Sequence, residues 1–419
     1  KSGYKMTEVG VIPEDWEVCE LKNHLVLLTD YDANGSFADM ASNVVTTTGN
    51  GYAWYVRATD LEQQSSLSEV KYVDEKSYRF LRKSTLYGGE VLLAKRGEIG
   101  KVYYFQMKTK RATLAPNLYL LKLKDTINSY FLFSLFKSTF GQNLLKSINA
   151  STSLGAIYKD DVKGLNILIP PFEEQASIAT ALSDVDSLIS ALTKKIEKKK
   201  AIKQGLMQQL LTGKKRLPGF CGDWMTYSIE ELFELGNGYT PSKAITSFWF
   251  NGTIPWFRME DIRLHGRILK DSIQHITLKA VKGGRLFPKD SIILSTTATI
   301  GEHAWLNVDS LANQQFTFLM RKRSCCDTIS VKYFFYYCYI LGDWCRANIN
   351  EGGLMAVNME DLRKYNFAIP PTISEQTAIA NILSDCDSEI AALEEKRDKY
   401  KEIKQGMMQQ LLTGKIRLI

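Results

Sequence analysis

The chain has little of what metal and redox sites are built from. It has four histidines and seven cysteines, an odd number with no CxxC pair among them. Cys325 and Cys326 are adjacent, and Cys338 and Cys345 lie in an aromatic-rich stretch. No zinc-ligand spacing results, and the cysteines are expected to be reduced and mostly core-filling, as in a cytoplasmic protein. An uncharged apolar run of about 18 residues is also missing, which excludes a transmembrane helix. The opening residues, KSGYKMTEVGVIPEDW, lack the apolar core of a secretory signal.

Catalytic motifs are missing too. No Gly-rich loop follows a clear strand, and Gly213-Lys214-Lys215 lacks the spacing and the Ser/Thr of a P-loop. Ile169-Pro170-Pro171-Phe172 imitates the short [DNS]-P-P-[YFW] motif of amino-methyltransferases, but Ile stands where a polar group must hold the target amine. Its second copy, Ile369-Pro370-Pro371-Thr372, loses the aromatic as well. Both read as strand-to-helix junctions. His24, His265, His275 and His303 form no triad or ligand spacing. No catalytic residue, metal ligand or resident cofactor is assigned.

What is present is ordinary for a globular protein. At 419 residues, with roughly 150 per domain, two or three domains are expected. Hydrophobic residues make up 45% and charged residues 24%, which argues against a disordered or fibrous chain. The net charge of +7 is mildly basic and permits a polyanionic partner.

A repeat dominates the sequence. Ile178–Lys214 aligns with Ile379–Lys415 at a constant offset of 201, with 25 of 37 positions identical. KQGLMQQLLTGK at 203–214 returns almost unchanged as KQGMMQQLLTGK at 404–415. Between these blocks the halves align only in patches: YVRATDL at 55–61 with WFRMEDI at 256–262, GEVLLAKRGEIG at 89–100 with DSIILSTTATIG at 290–301, and KDDVKGLNILIPP at 159–171 with MEDLRKYNFAIPP at 359–371. Each half therefore has a near-constant part and a variable part. A kept scaffold with a changed surface suits two readers of different targets.

The near-constant parts read as helices. Ile178, Leu182, Val185, Ile189, Leu192 and Ile196 step by 4, 3, 4, 3, 4, and Ile379, Leu383, Cys386, Ile390 and Leu393 repeat the stripe. Paired prolines precede each helix, and Gly213 and Gly414 follow as stops. Rods of roughly 50–60 Å result. Their matched stripes suit packing on each other better than each on its own domain. In the variable parts, Val91–Leu93 with Val102–Phe105, and Ile292–Ser295 with His303–Leu306, read as strands around a Gly turn. Tyr130–Phe140 and Lys332–Cys345 read as helices, and Asn166–Ile169 and Asn366–Ile369 as short strands. Trp16 and Trp224 stand at matching domain entrances.

Basic charge falls in both variable parts, as phosphate contact requires. Residues 82–111 hold eight Lys/Arg against two Glu, and residues 258–323 eleven against six acids. The 94–101 loop offers Lys95, Arg96 and Lys101; its counterpart at 295–302 offers Thr296, Thr297 and Thr299. Arginine can pair with a guanine edge, and threonine with a base or a phosphate; a solvated turn is the alternative. Arg57 and Arg258 are equivalent, each a DNA contact or the partner of Asp60 or Asp261. Asn313-Gln314-Gln315 suits adenine edges or an ordinary loop, and Lys243 completes the candidate set. Residues 194–216 carry nine basic side chains against Glu197, either a solvated helix flank or a face for DNA or an acidic partner.

Taken together, the chain resembles the specificity (S) subunit of type I restriction–modification enzymes. The resemblance rests on IPEDW at 12–16, on the two IPP…EQ…IA…LS-D-D helices (Gln175, Ile178, Ala179, Asp184, Asp186; Gln376, Ile379, Ala380, Asp385, Asp387), on the two QQLLTGK endings, and on GYTPSK at 238–243. In the first variable part TDYDANGSF at 29–37 stands in place of that last run. It implies an α+β fold with a pseudo-two-fold internal repeat: recognition domains at 1–168 and 217–368, spacer helices at 169–216 and 369–419, and an antiparallel coiled coil separating the domains. It further implies a non-catalytic reader of a bipartite, asymmetric site in double-stranded DNA. Two methyltransferase subunits would dock on the helices, and restriction/translocase subunits would join them. S-adenosylmethionine, ATP and Mg would reside on those partners, with no membrane involved. The competing readings are a self-sufficient DNA methyltransferase and a coiled-coil protein scaffold without a DNA role.

Overall fold

The computed structural model describes residues 3–63, 65–97, 99–149, 155–350 and 355–418. Glu98, in the 94–101 loop, lies outside the described residues. The chain divides into two compact units, Lys1–Thr193 with Glu395–Ile419, and Lys194–Glu394. Each unit thus combines one variable part, the start of the long helix that follows it, and the end of the other long helix.

The first unit is built on two sheets. One has the antiparallel order Val102–Tyr104, Val91–Ala94, Leu118–Leu123, Leu25–Asp30. The other runs Thr46–Thr48, Lys71–Val73, Ala53–Val56, Ala112–Leu114, Thr85–Leu86, with Ala53–Val56 and Ala112–Leu114 parallel. The central strands Val91–Ala94 and Ala53–Val56 are buried along their whole length, which is why both read as continuous apolar runs. The second unit repeats the plan. Its larger sheet has the order Phe233–Asn237, Phe316–Arg321, Ile292–Ser295, His303–Leu306, Ile268–Leu269, and a smaller one the order His275–Ile276, Ile254–Phe257, Leu311–Ala312. Ile254–Phe257 and Leu311–Ala312 are again parallel. In the first unit Tyr119 pairs with Asp30, and in the second Thr317 pairs with Asn237, which fixes which residues are equivalent.

The short strands Asn166–Ile169 and Asn366–Ile369 form as the sequence reading expected, against Glu17–Glu20 and Met225–Ser228. Lys332–Cys345 lies inside one helix, Val331–Ala347. Tyr130–Phe140 differs: it is broken into Ser129–Lys137 and Thr139–Ser147. The Ser138 hydroxyl caps the second helix at Gly141 N, a local bond that competes with helix continuation.

The long helices run Phe172–Leu210 and Ile373–Leu411, 39 residues each. Each begins just after its proline pair, and Gly213 and Gly414 take left-handed φ values of 71° and 70° beyond the ends. The apolar stripe meets two kinds of partner. In the first unit Ile178 and Leu182 join a core with Trp16, Phe131 and Ile169, and also with Leu411 and Leu412 from the end of the second helix. In the second unit Ile379 and Leu383 pack with Phe334, Phe367, Leu210 and Leu211. Helix-on-helix and helix-on-domain packing are therefore both realised, because each domain core has room for two helix ends. Leu192 and Ile390 are buried, while Val185, Ile189 and Leu393 are half-buried.

Within each unit the two helix segments are antiparallel. The second unit shows it through Lys199–Glu389 (2.7 Å), Lys200–Glu394 (2.6 Å), Lys203–Asp387 (2.5 Å) and Arg216–Glu375 (2.6 Å). The first shows it through Lys404–Asp186 (2.6 Å) and Arg417–Glu174 (2.7 Å). Part of the basic run at 194–216 thus neutralises acids of the other helix. Among the described residues Lys194, Lys195, Lys198, Lys214 and Lys215 make no ion pair.

Of the four histidines, His303 is buried in the second unit, its ring edge-on to Tyr339 at 4.6 Å, with Nε2 unpartnered among the described residues. Burial, reinforced by the Arg267 charge, lowers its pKa to about 3. The folded protein keeps it neutral, whereas the unfolded chain takes a proton below about 6.5. Its contribution to stability is therefore complete above that pH and falls as the pH drops toward 3, by up to about 1.4 kcal/mol per unit. His303→Phe is expected to flatten the acid limb of the pH–stability curve over that interval. Identical limbs in the two proteins would contradict this.

Candidate nucleic-acid interface

The two turn regions expected to face a ligand are built alike. In the first unit the segment after strand Val91–Ala94 is tied to its neighbours by backbone bonds from Lys95 N to Asn117 O (3.0 Å), from Gly97 N to Gly155 O (2.9 Å) and from Ile157 N to Lys95 O (3.1 Å). In the second, Thr296 N bonds Gln315 O (3.1 Å) and Val357 N bonds Thr296 O (2.9 Å). Three loops converge at each tip: 95–101, 115–117 and 155–157 in one unit, 296–302, 312–315 and 355–357 in the other. The 115–117 loop was not singled out in the sequence. Its signal was the alignment of Leu114-Ala115-Pro116-Asn117 with Leu311-Ala312-Asn313, and Asn117 takes a left-handed φ of 72°.

At the first tip, Lys95 is not an open surface cation. It is buried, and its Nζ lies 3.0 Å from Asp30 Oδ2 and 2.5 Å from Asp32 Oδ2. Lys159 Nζ lies 2.8 Å from the other Asp30 oxygen. Burial alone would raise the Asp30 carboxyl, but hydrogen bonds from Lys159 and Lys95 outweigh it and hold the group below its ordinary range. A lysine held this way cannot also reach a phosphate without leaving a buried carboxylate behind. Arg96 is exposed and makes no ion pair among the described residues. Lys101 lies 2.9 Å from Glu62, which also accepts from the Tyr103 hydroxyl.

At the second tip the positions equivalent to Lys95 and Arg96 are the neutral Thr296 and Thr297, while the counterpart of Lys101 is Glu302, which pairs with Arg267 at 2.5 Å. Thr296 is buried, its hydroxyl 3.0 Å from that of Thr317. Thr299 accepts from Gln315 Nε2 at 2.6 Å. Gln314 is exposed and its Oε1 accepts from the Thr240 hydroxyl at 2.6 Å. The Asn313 side chain caps Gln315 N at 3.2 Å. Thr297 is half-exposed and Lys243 exposed.

Arg57 and Arg258, read as equivalent, are both committed to structure in part. Arg57 caps the helix Ala58–Glu62 and bonds Asp60 through Nε (3.1 Å) and Nη2 (2.5 Å). Arg258 lies over Trp256 and pairs with Glu260 at 2.7 Å, while Asp261 instead accepts from the backbone of Arg258 and Ile273. Arg258 Nε is buried without a partner among the described residues. A stronger cationic feature of the second unit was counted in the charge balance but not named: Lys279, Lys282, Arg285 and Lys289 are exposed and make no ion pair among the described residues. No group of three or more His, Cys, Asp or Glu among the described residues is placed to hold a metal. Among the described residues no helix is long and apolar enough to cross a membrane.

Two copies of one scaffold with unlike tips match a known domain. The family model described as "Type I restriction modification DNA specificity domain" matches residues 13–204 and again 222–405. The chain belongs to this family. A relative, the EcoprrI type I restriction enzyme specificity subunit of Escherichia coli, is 46% identical over 174 residues, covering 42% of this chain and 43% of that one. The chain thus spans less than half the length of that relative in the match. A putative type I specificity subunit of Methanocaldococcus jannaschii, MjaX, is 27% identical over 436 residues, covering 100% of this chain and 97% of its own. The solved S subunit of a type I system from M. genitalium has the same fold, with a TM-score of 0.60 at 13% identity, covering 94% of this chain and 96% of that one.

In this specificity chain the repeated EQ pair is explained by packing. Gln175 and Gln376 are buried; each accepts from a recognition-domain backbone N–H (Asn128 at 2.9 Å, Ser330 at 2.8 Å) and donates to its own proline carbonyl. Glu174 and Glu375, also buried, receive Arg417 and Arg216. Asp186 and Asp387 each accept from a recognition-domain tyrosine, Tyr130 at 2.6 Å and Tyr336 at 2.9 Å. The motif fixes each helix to its domain.

Proposed function

We propose that this chain is the non-catalytic DNA-reading subunit of a type I restriction–modification complex. Each recognition domain reads one half of a bipartite, asymmetric duplex site. The observation that carries this reading is a single tip geometry displaying Arg96 beside an ion-paired Lys95 in one unit and neutral threonines in the other. A duplicated enzyme would have to keep its chemistry at the same place; a duplicated reader is free to change it. The long helices set the spacing between half-sites and dock two methyltransferase subunits, with restriction/translocase subunits completing the assembly. S-adenosylmethionine, ATP and Mg are supplied by those partners, and the complex works in the cytoplasm. DNA reading rests on Arg96, Thr297, Gln314 and Lys243, with Lys101, Arg57, Arg258, Thr299, Asn313 and Gln315 shaping the surface around them and Lys95 and Thr296 holding the tips from within.

Co-expression with the methylation subunits, followed by mapping of methylated adenines, is expected to give one bipartite sequence with a fixed spacer. The purified chain alone is expected to bind duplex DNA with a steep salt slope and to turn over no substrate. Turnover that a point mutation in this chain abolishes would favour the self-sufficient methyltransferase. Absence of salt-dependent duplex binding would favour the scaffold. In the same mapping, seven residues added to each long helix, in phase with the stripe, should lengthen the spacer by about 3 bp, since seven residues add ~10 Å. An unchanged spacer would exclude the helices as the ruler.

A further inference from the structure

The first recognition domain carries a carboxylate where its surface should meet phosphates. Asp32 is exposed, with only Oδ2 engaged, 2.5 Å from Lys95 Nζ. Oδ1 accepts no hydrogen bond among the described residues. The turn that bears it is held firmly: Asn34 donates to Tyr31 O (2.9 Å) and to Ser84 Oγ (2.8 Å) and accepts from Lys83 N (2.9 Å). Asp32 and Arg96 line one cleft of about 520 Å³, together with Tyr31, Phe37, Tyr55 and Asn117. Lys95, anchored below on Asp30, holds the carboxylate in the cleft that Arg96 also lines.

An exposed carboxylate repels a phosphate backbone and also repels the acceptor edges of guanine and thymine. It is favourable only against an amino group, such as cytosine N4–H in the major groove. The Arg96 guanidinium that lines the same cleft suits O6 and N7 of guanine. Donor and acceptor on one cleft therefore match the two halves of a single base pair. By strand register the second unit has Tyr239 and Thr297 in these places, and the Tyr239 hydroxyl is already engaged with Lys282 N at 2.6 Å and Ala280 O at 3.2 Å.

We propose that Asp32 and Arg96 together read one C·G base pair of the first half-site, Asp32 accepting from cytosine N4 and Arg96 donating to the paired guanine. This rests on the DNA-reading function above. The test uses the chain co-expressed with its methylation subunits and a library of methylated sites. The wild-type complex must first yield a bipartite recognition sequence; if it yields none, it is the DNA-reading function that fails. Given that sequence, Asp32→Asn should lower the preference for cytosine at one position of the first half-site by about tenfold or more, the scale of one good base contact. Asp32→Glu, which restores the carboxylate, should recover part of it. Arg96→Ala should relax the same base pair. The second half-site, unchanged in all three, reports that the variants are folded and assembled. The proposal is overturned if Asp32→Asn leaves every position unchanged, weakens all sequences uniformly, or alters a different base pair from Arg96→Ala.

Discussion

Replacing Arg417 by Met is expected to destabilise the first unit by about 3 kcal/mol. The arginine closes the end of the second long helix onto the start of the first. Its Nε and Nη2 each lie 2.7 Å from Glu174, and Nη2 also lies 2.7 Å from Asp15. Glu174 is only 2% exposed and takes a further bond from Trp16 Nε1 at 2.9 Å. The hydrogen bonds from Arg417 hold Asp15 below the ordinary carboxylate range, and those to Glu174 and Asp15 raise the guanidinium in turn. Removing the cation leaves a buried carboxylate with the Trp16 indole and a long bond from Leu418 N (3.4 Å) as its donors, a change worth about 3–5 kcal/mol in buried pairs. The lower end applies because Arg417 is itself partly exposed. Adding Glu174→Gln should recover part of the loss, since the residual cost is that of an uncompensated charge. Urea unfolding of the single and double variants checks both points; a single variant within about 0.5 kcal/mol of wild type would show that the clamp is not needed. Arg216 makes the equivalent clamp on Glu375 in the second unit, at 2.6 Å, but there Trp224 Nε1 has no partner among the described residues. Arg216→Met should therefore leave its glutamate more exposed to the loss than Arg417→Met does.

Exchange of residues 20–155 for the corresponding segment of a relative with a different target is expected to change the whole first half-site and leave the second intact. The segment carries two of the three loops at the first tip, 95–101 and 115–117, and it includes Asn128 and Tyr130, which meet the helix start at Gln175 and Asp186. Trp16, Ile167, Ile169, Ile178 and Leu182 stay in place as the floor of the core, and Gln175 still finds the backbone N–H of residue 128. The second unit shares none of these residues. Mapping methylated adenines with the hybrid checks the outcome. A hybrid that altered both half-sites would show that reading is not divided between the domains.

The difference between these two kinds of prediction follows from what kind of information each uses. Helices, strands and their order were legible because periodicity is local: a 4, 3 stripe or a buried run of β-branched residues is written in neighbouring positions. The offset of 201 residues made the duplication plain, and the motifs that recur at that offset were enough to point to the specificity family. The break at Ser138 went unseen because a single hydroxyl capping bond competes there with an apolar helical pattern.

The side chains at the tips were harder to place. Lys95, Arg96 and Lys101 are three cations in one loop, and nothing in that loop distinguishes them. Asp30, Asp32 and Lys159 decide that Lys95 is an internal ion-pair partner, and they come from segments about 65 residues before and after it. Arg57 could be read either way, and the carboxylate three residues on settled most of its hydrogen bonds. By itself, then, the sequence determined the repeat, the two long helices, the strand pattern and the family. Only the tertiary structure decided which charges are spent inside the protein and which face outward, because a charge is neutralised by whatever the folded chain brings within about 4 Å of it, however distant in sequence.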